Sequence, residues 1–448
     1  AHDLVFGTPV NDPLGGLALG DGDLGSLLWT GEDCLHIHVN KTDLWDDSSL
    51  TDDTLCSKED EDLTCLRHGG EITIKFHSPC FDMLYQDTYE ARLSLADAAA
   101  HIDSRTPFSA IRMDSFASAQ AHTTMLRCQM TTAEPETPEI ELARFGSRNL
   151  WRWYERIKHV PEAGLAGTQA HADGDRLYIT QELNGTRFCL GLAVVTEGGL
   201  RSERLHSHAG RITLGSACEH RFTLFYTIAL GADIPDARQN CAAALDEAIA
   251  RGYAALYAEH QADWAAFWNR SFIRIPDDYV ENIYYLSLYY SYSECRGAYP
   301  PHFTQGIWGF RHDFLPWNCY FYYNMQHMYG PLFAAGHGYL ADNYYRMRRQ
   351  GLDAAYRYAK RFKNLDGAFY HDVTDRYGRG ADYDSDNCTP APQLAMEMWH
   401  YYRYTGDEAF LRETVLPVMI GAGRLYLSLL HKEEDGLYHL NGTTAYEG

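Results

Sequence analysis

The sequence predicts a two-part fold: a β-sandwich, followed by the first portion of an α/α toroid, an (α/α)6 barrel of which about half is present. Two observations carry this. Up to about residue 230 the apolar pattern has period two, and beyond 236 it switches to helical spacing. The loops between the later helices also collect Gly, Pro, Trp, His and Asp, as functional loops at one end of paired helices do. The boundaries read as a β-sandwich over 1–235, a helical linker over 236–277 and the N-terminal part of the barrel over 278–448.

In the first part, 71–76 (EITIKF) alternates apolar and polar, and 176–181 (RLYITQ) sets Leu177 and Ile179 on one face. Residues 188–195 and 221–228 read as strands buried on both faces. Turn signals separate them at Asp21-Gly22, Asn184-Gly185 and Glu197-Gly198-Gly199. The run from Cys241 to His260 is alanine-rich with helical spacing and predicts the linker helix. Further helices are predicted over 284–292, 320–333, 340–362, 393–404 and 409–430. About half of a twelve-helix ring fits into the residues available.

Composition narrows the function. Of 448 residues, 45% are hydrophobic, enough for a large core, and the formal net charge of −23 argues against a nucleic-acid partner. Aromatic residues reach 13%, with 32 Tyr and 9 Trp. Most are expected to pack the helical core, and the few in polar loops suit stacking on the C–H faces of sugars. No apolar stretch is long enough to span a membrane as a helix. The sequence starts Ala1-His2-Asp3, without Met or a signal peptide, which points to a processed end or a start partway along a longer protein. N-x-[ST] triplets at Asn40, Asn184, Asn269, Asn387 and Asn441, together with 11 Cys, lean toward a secreted, extracellular glycoprotein. Cys56 and Cys65 could close a small loop flanked by Cys34 and Cys80; pairing cannot be deduced from spacing. No CxxC or HExxH pattern is present, and no metal or cofactor is expected.

Three constellations carry candidate chemistry. The first is Gln305-Gly306-Ile307-Trp308, then Trp317-Asn318, then Asn324, Gln326 and His327 in the opening turns of a helix. Free amides and short polar side chains at a helix start suit hydroxyls or a water. The plainer alternative makes Asn324 and Gln326 ordinary capping or core amides. The second is the acid- and aromatic-rich loop from Asp366 through His371 and Asp375 to Asp386. Asp382, Asp384 and Asp386 alternate, but the glycine and distal glutamate of an EF-hand loop are missing, so a solvated loop is expected. The third is Asp435-Gly436-Leu437-Tyr438 through Glu447, a turn followed by an extended piece.

In this order the three constellations resemble the six-hairpin glycosidases, and most closely glycoside hydrolase family 95, the α-L-fucosidase and α-L-galactosidase family. Leu19-Gly20-Asp21-Gly22-Asp23-Leu24-Gly25 and Asn40-Lys41-Thr42-Asp43-Leu44-Trp45 resemble its N-terminal glycine-rich and Asn…Leu-Trp motifs; the resemblance implies that the sandwich is a supersandwich. Residues 301–308 resemble its Pro-x-Asn-Leu-Gln-Gly-x-Trp motif, and counting from Trp317 puts Asn324 and Gln326 on its Asn-x-Asn pair. His371 and Asp375 fit its His…Asp loop. Thr389-Pro390, Leu394, Trp399, Tyr402 and Tyr404-Thr405-Gly406-Asp407 fit its next helix and turn. Asp435 to Gly448 aligns without gaps on the segment that ends in the family's general acid, which falls on Glu447.

The resemblance implies an inverting hydrolysis of a terminal sugar, an α-L-fucoside or a related glycoside. Glu447 would be the general acid, and Asn324 with Gln326 would position the attacking water. Trp308, Trp317, His327, His371 and Asp375 would line the substrate. The aspartate completing the family's base lies on a later helix, so residue 448 reads as the limit of the sequence supplied and the site as incomplete in this chain. Gln326 replaces the family's second asparagine, and 442–446 replaces most of its Pro-Ser-x-Ser-Pro context. The same departures suit a second reading, a non-catalytic extracellular structural or carbohydrate-binding glycoprotein that keeps the hydrolase fold. A disaccharide phosphorylase would need a basic phosphate pocket, for which Arg311 is the single nearby candidate in the first toroid loop.

Overall fold

The computed structural model describes residues 2–47, 65–145, 148–150, 158–160, 165–309, 319–380 and 386–443. Trp317, Arg311, Asp382, Asp384, Cys56 and Glu447 lie outside them. The chain divides into two compact units: 1–44, 67–297 and 305–315 in the first, and 45–66, 298–304 and 316–448 in the second.

The first unit is built on two antiparallel sheets. A nine-stranded sheet runs in the order Leu4–Phe6, Thr88–Ser94, Ala99–Arg105, Ser109–Ser118, Thr123–Glu136, Ala217–Leu230, Thr186–Thr196, Arg176–Leu183 and Gln169–Asp173. A seven-stranded sheet runs Leu200–His206, Ala209–Leu214, Glu139–Ala143, Gly70–Lys75, Cys34–Lys41, Leu24–Thr30 and Leu17–Gly20. The register pairs Leu177 with Leu192 and Ile179 with Leu190; the strand is buried on both faces, Leu177 and Ile179 on one and Tyr178, packed with Cys241 and Leu245 of the helix Ile234–Arg251, on the other. Glycines let the sheets approach: a Cβ on Gly70 would stand 2.7 Å from Leu190, and one on Gly69 2.4 Å from Ile228. Ser26 and Thr124 bridge the sheets through their hydroxyls at 3.3 Å.

Three helices complete this unit: α1 (Ile234–Arg251), α2 (Tyr253–Trp268) and α3 (Asp278–Glu294). The predicted single helix over 241–260 is two helices. Gly252, at φ 78°, ends α1 in a conformation that side chains resist, and the chain restarts at once. Asp233 caps α1, its carboxylate accepting from the Asp236 amide at 2.8 Å. Cys241, Leu245 and Leu256 are buried on the sheet side with Phe116, Met125 and Phe225. Trp264, 1% exposed, stacks on Tyr289 of α3 with ring centres 5.1 Å apart and meets Tyr292 edge-on at 4.9 Å.

The second unit is helical: α4 (Tyr322–Ala334), α5 (Asp342–Gln350), α6 (Leu352–Tyr358), α7 (Pro390–Thr405), the single turn α8 (Glu408–Phe410) and α9 (Leu416–Leu429). The helix predicted over 340–362 is broken near Gly351, because the Gly378 carbonyl crosses there; a Cβ on Gly351 would stand 2.0 Å from it. The helix predicted over 409–430 is interrupted by a wide turn at Leu411–Val415, where the Leu416 amide reaches back to the Leu411 carbonyl. Thr405-Gly406-Asp407 forms a tight helix-to-helix turn. Gly406 takes the left-handed C-cap at φ 68°, and the Asp407 carboxylate accepts from the amides of Ala409 and Phe410 at 3.0 Å each. After α9, Leu430–Lys432 and Tyr438–Leu440 pair around the Asp435-Gly436 turn. No described helix is long and apolar enough to cross a membrane.

Two of the five N-x-[ST] asparagines are folded away: Asn40 is buried in a strand, and Asn387 is buried with its amide on Asp372. Asn184, Asn269 and Asn441 are exposed. Cys34, Cys80, Cys128, Cys189, Cys218, Cys241 and Cys388 are thiols; the loop that Cys56 and Cys65 could close falls outside the described residues at Cys56.

Replacing Trp264 by Ala removes the ring shared by α2 and α3 and is expected to cost about 3–5 kcal/mol of stability. Urea denaturation of the variant, followed by far-UV circular dichroism, checks this.

Candidate functional site

In the second unit a two-residue strand, Tyr320–Phe321, pairs antiparallel with Val373–Thr374, and the Tyr322 amide donates to the Asp372 carbonyl at 2.7 Å. These bonds set the first turn of α4 against the loop carrying His371 and Asp375. The α4 residues of the first constellation and the His371–Asp375 part of the second are thereby brought together. Asp372 is held in turn by the Asn387 amide, 3.1 and 3.2 Å from its two carboxylate oxygens. Asn387 Oδ1 accepts from the Thr389 amide at 3.0 Å just ahead of α7, so one short polar chain links α4, the loop and α7.

Along α4 the predicted residues separate. Asn324 and His327 are exposed, His327 lying edge-on to Tyr323 at 4.6 Å. Neither Asn324 nor Gln326 caps the helix. Gln326 is half-buried, and its amide oxygen accepts from the Tyr322 hydroxyl at 3.0 Å.

Sequence reading passed over Glu397. It lies on α7, and one of its oxygens stands 2.9 Å from the same Tyr322 hydroxyl; its other oxygen has no hydrogen-bond partner among the described residues. Burial pushes its carboxyl up to about 7, against the pull of the Tyr322 hydrogen bond and the nearby Arg348 charge. Arg348 is fully buried; its guanidinium lies over Tyr322 at 5.7 Å and Tyr344 at 5.3 Å and donates to the His371 carbonyl at 3.4 Å. A carboxylic acid hidden in a helix otherwise rich in Met and aromatics was the available signal. It is easily read as one more solvated charge.

His371 is buried, with Tyr358 edge-on at 4.1 Å and Phe369 at 5.4 Å. Burial, reinforced by Lys363 and Arg348, drives its imidazole down to about 3, so it is neutral near physiological pH. Asp375 is fully buried and organises its own loop. One oxygen accepts from the Tyr377 and Arg379 amides at 2.9 Å each, and the other from the Arg379 guanidinium at 2.9 Å. Arg376 next to it forms an ion pair with Asp47 and lies 5.3 Å over Tyr299.

Trp308 belongs to the first unit. Its indole N–H donates to the Leu19 carbonyl at 2.8 Å and its ring meets Tyr290 at 5.2 Å. The glycine of Gln305-Gly306-Ile307-Trp308 is explained by contact. Gly306 sits at φ 57°, and a Cβ there would stand 1.8 Å from the buried carboxylate of Glu294. Burial raises that carboxyl to about 8. Among the described residues no group of three or more His, Cys, Asp or Glu could hold a metal ion.

Residues 269–447 match the glycosyl hydrolase family 95 catalytic domain. Over 232 residues the chain is 24% identical to "Probable alpha-fucosidase A" of Aspergillus niger, covering 44% of this chain and 28% of that protein. The fold matches the solved structure "Putative kojibiose phosphorylase from human microbiome" with a TM-score of 0.71 at 13% identity, covering 99% of this chain and 61% of that one. The chain thus spans under a third of the fungal relative and about three fifths of the solved structure. An antiparallel, sheet-rich N-terminal region followed by a helical one, with these matches, fits the six-hairpin glycosidase superfamily. Within it, the family 95 match and the fungal relative support a glycosidase.

The neutral state of His371 has a direct readout. Its folded pKa is depressed, so the stability it contributes is present above the unfolded value of 6.5 and lost as pH falls toward 3. Imidazole NMR of the folded protein is expected to show no protonation of His371 between about pH 8 and pH 5. A midpoint near the ordinary histidine value would contradict the buried placement.

Proposed function

We propose that the protein is an inverting glycoside hydrolase that removes a terminal sugar, an α-L-fucose or a closely related residue, from a glycan. The observation that carries this reading is the family 95 catalytic-domain match over 269–447. The α4–loop pairing supports it, since it holds Asn324, Gln326 and the His371–Asp375 loop in one unit. In this reading the supersandwich precedes a six-hairpin barrel.

Glu447 delivers a proton to the leaving oxygen. Asn324, with Gln326, orients the attacking water for the general base. Inversion requires the acid and base to stand far enough apart to admit that water. Trp317 and His327 contribute sugar contacts, the ring through its apolar face and His327 through its nitrogens. His371 and Asp375 complete the set of substrate-binding residues in this reading, on the loop paired with the start of α4. Replacing Glu447 by Gln in the natural protein is expected to lower kcat by about 10²–10⁴-fold on glycosides with poor leaving groups. An aryl fucoside with an activated leaving group should be much less affected. Unchanged hydrolysis of the natural glycan by the variant sinks the assignment.

We also propose that the protein is secreted and glycosylated. Three exposed N-x-[ST] asparagines, Asn184, Asn269 and Asn441, support this. Peptide mass mapping after endoglycosidase treatment is expected to find glycans at these three and none at the buried Asn40 and Asn387.

A further inference from the structure

The Tyr322 hydroxyl has one proton and two oxygens in reach, Gln326 Oε1 at 3.0 Å and Glu397 Oε1 at 2.9 Å. It can donate to only one of them. Both contacts are satisfied when Glu397 is a neutral acid that donates to Tyr322, which then donates to Gln326. If Glu397 ionises, its carboxylate accepts the Tyr322 O–H hydrogen bond, because charge-assisted hydrogen bonds are the stronger ones. The Gln326 amide must then turn its –NH2 toward the tyrosine oxygen.

We propose that Glu397 is a positioning residue of the glycosidase site: its protonated carboxyl, acting through Tyr322, fixes which end of the Gln326 amide faces water and substrate. The proposal rests on the function assigned above and gives that site a pH-sensitive support.

The surroundings favour the neutral acid. On α4 the titratable neighbour is Tyr322. From α5 come Tyr344, Tyr345 and the Arg348 cation, which is the one charge set against burial. The elements packed along α7 bury no titratable group toward it: α9 buries Val418, Gly421, Ala422 and Leu425, the wide turn buries Thr414 and Val415, and 338–341 buries Gly338, Leu340 and Ala341. Glu397 has an oxygen without a hydrogen-bond partner, Arg348 has Nε and Nη2 without one, and Tyr344 and Tyr345 have unpartnered hydroxyls, all among the described residues. The Arg348 cation pulls toward the carboxylate, and the desolvation of the buried carboxyl outweighs that pull. The raised carboxyl, near 7, agrees.

The test compares Glu397→Gln, which keeps a donor toward Tyr322, with Glu397→Leu, which keeps none. Hydrolysis of an aryl α-L-fucoside by the natural protein is followed from about pH 5.5 to about pH 8.5, bracketing the Glu397 titration. The rate ratio of Glu397→Gln to wild type cancels every pH dependence that the two proteins share. That ratio is expected to rise by about tenfold across the range, while Glu397→Leu loses about tenfold or more at the acid end and Glu397→Gln rescues most of it. A flat ratio with an active wild type overturns the positioning role. A substrate-free arm separates the two ideas. Because the folded carboxyl is raised, its stabilisation is complete below the unfolded pKa and lost as pH rises through about 7. The Tm of Glu397→Gln should therefore gain several degrees on wild type between about pH 5.5 and pH 8.5. A constant Tm difference means that Glu397 does not titrate there and overturns the proposal. A wild type that cleaves no fucoside or related glycoside overturns the function reading, and the positioning role with it, whatever the Tm arm shows.

Discussion

The short pairing of Tyr320–Phe321 with Val373–Thr374, extended by the Tyr322 amide on the Asp372 carbonyl, is the constraint on which the site depends. Two strand residues on each side would be marginal in water. Here the pairing is buried, and Tyr320 donates to the Pro300 carbonyl at 2.7 Å. Phe321 is the residue from which α4 starts. Fixing its extended backbone sets both where the helix begins and which way its first turn faces. Asn324, Gln326 and Tyr322 then take their directions from helical geometry alone. The same pairing holds His371 and Asp375, so the loop and the helix start are positioned by one set of bonds.

Around this pairing the second unit places polar groups deep in its interior. Arg348 carries no carboxylate partner close enough for an ion pair among the described residues; it is held by aromatic faces and a carbonyl. Such a cation is costly to bury alone. Rings whose faces attract cations reduce that cost, by about 0.5–2 kcal/mol for each good contact. Asp375 shows the opposite arrangement, with every interaction local: two amides and one guanidinium from the next four residues. A carboxylate used in this way rigidifies a loop without calling on any other element. Buried polar groups of this kind specify one arrangement of the chain at some expense of stability.

Much of this was legible beforehand. Alternation at 71–76 became a paired strand with one face buried, as a period of two allows; the strand at 176–181 is buried on both faces, because α1 covers its second side. The Thr405-Gly406-Asp407 turn and the Asp435-Gly436 hairpin were readable because Gly and Asp act through local backbone geometry. The breaks at Gly252 and Gly351 were less so. At Gly252 the signal, a glycine in a helical pattern, was present and under-read; at Gly351 the cause is a carbonyl 27 residues away in sequence, at Gly378. Glu397 was missed for the same reason. Whether an acid on a helix faces water or a tyrosine from another helix depends on packing, which local sequence does not encode.

The sequence by itself determined the order of the parts, a sheet-rich region then a helical one, and the candidates Asn324, Gln326, His371 and Asp375, since residue type, spacing and motif are properties of the linear chain. Only the tertiary structure decided their environments. It left Asn324 and His327 exposed, tied Gln326 to Tyr322, buried His371 as a neutral ring and brought Glu397 to the same hydroxyl from a helix some 75 residues away in sequence. The physical reason is that protonation state and hydrogen-bond partner are set by desolvation and by neighbours across space, and these exist only once the helices have packed.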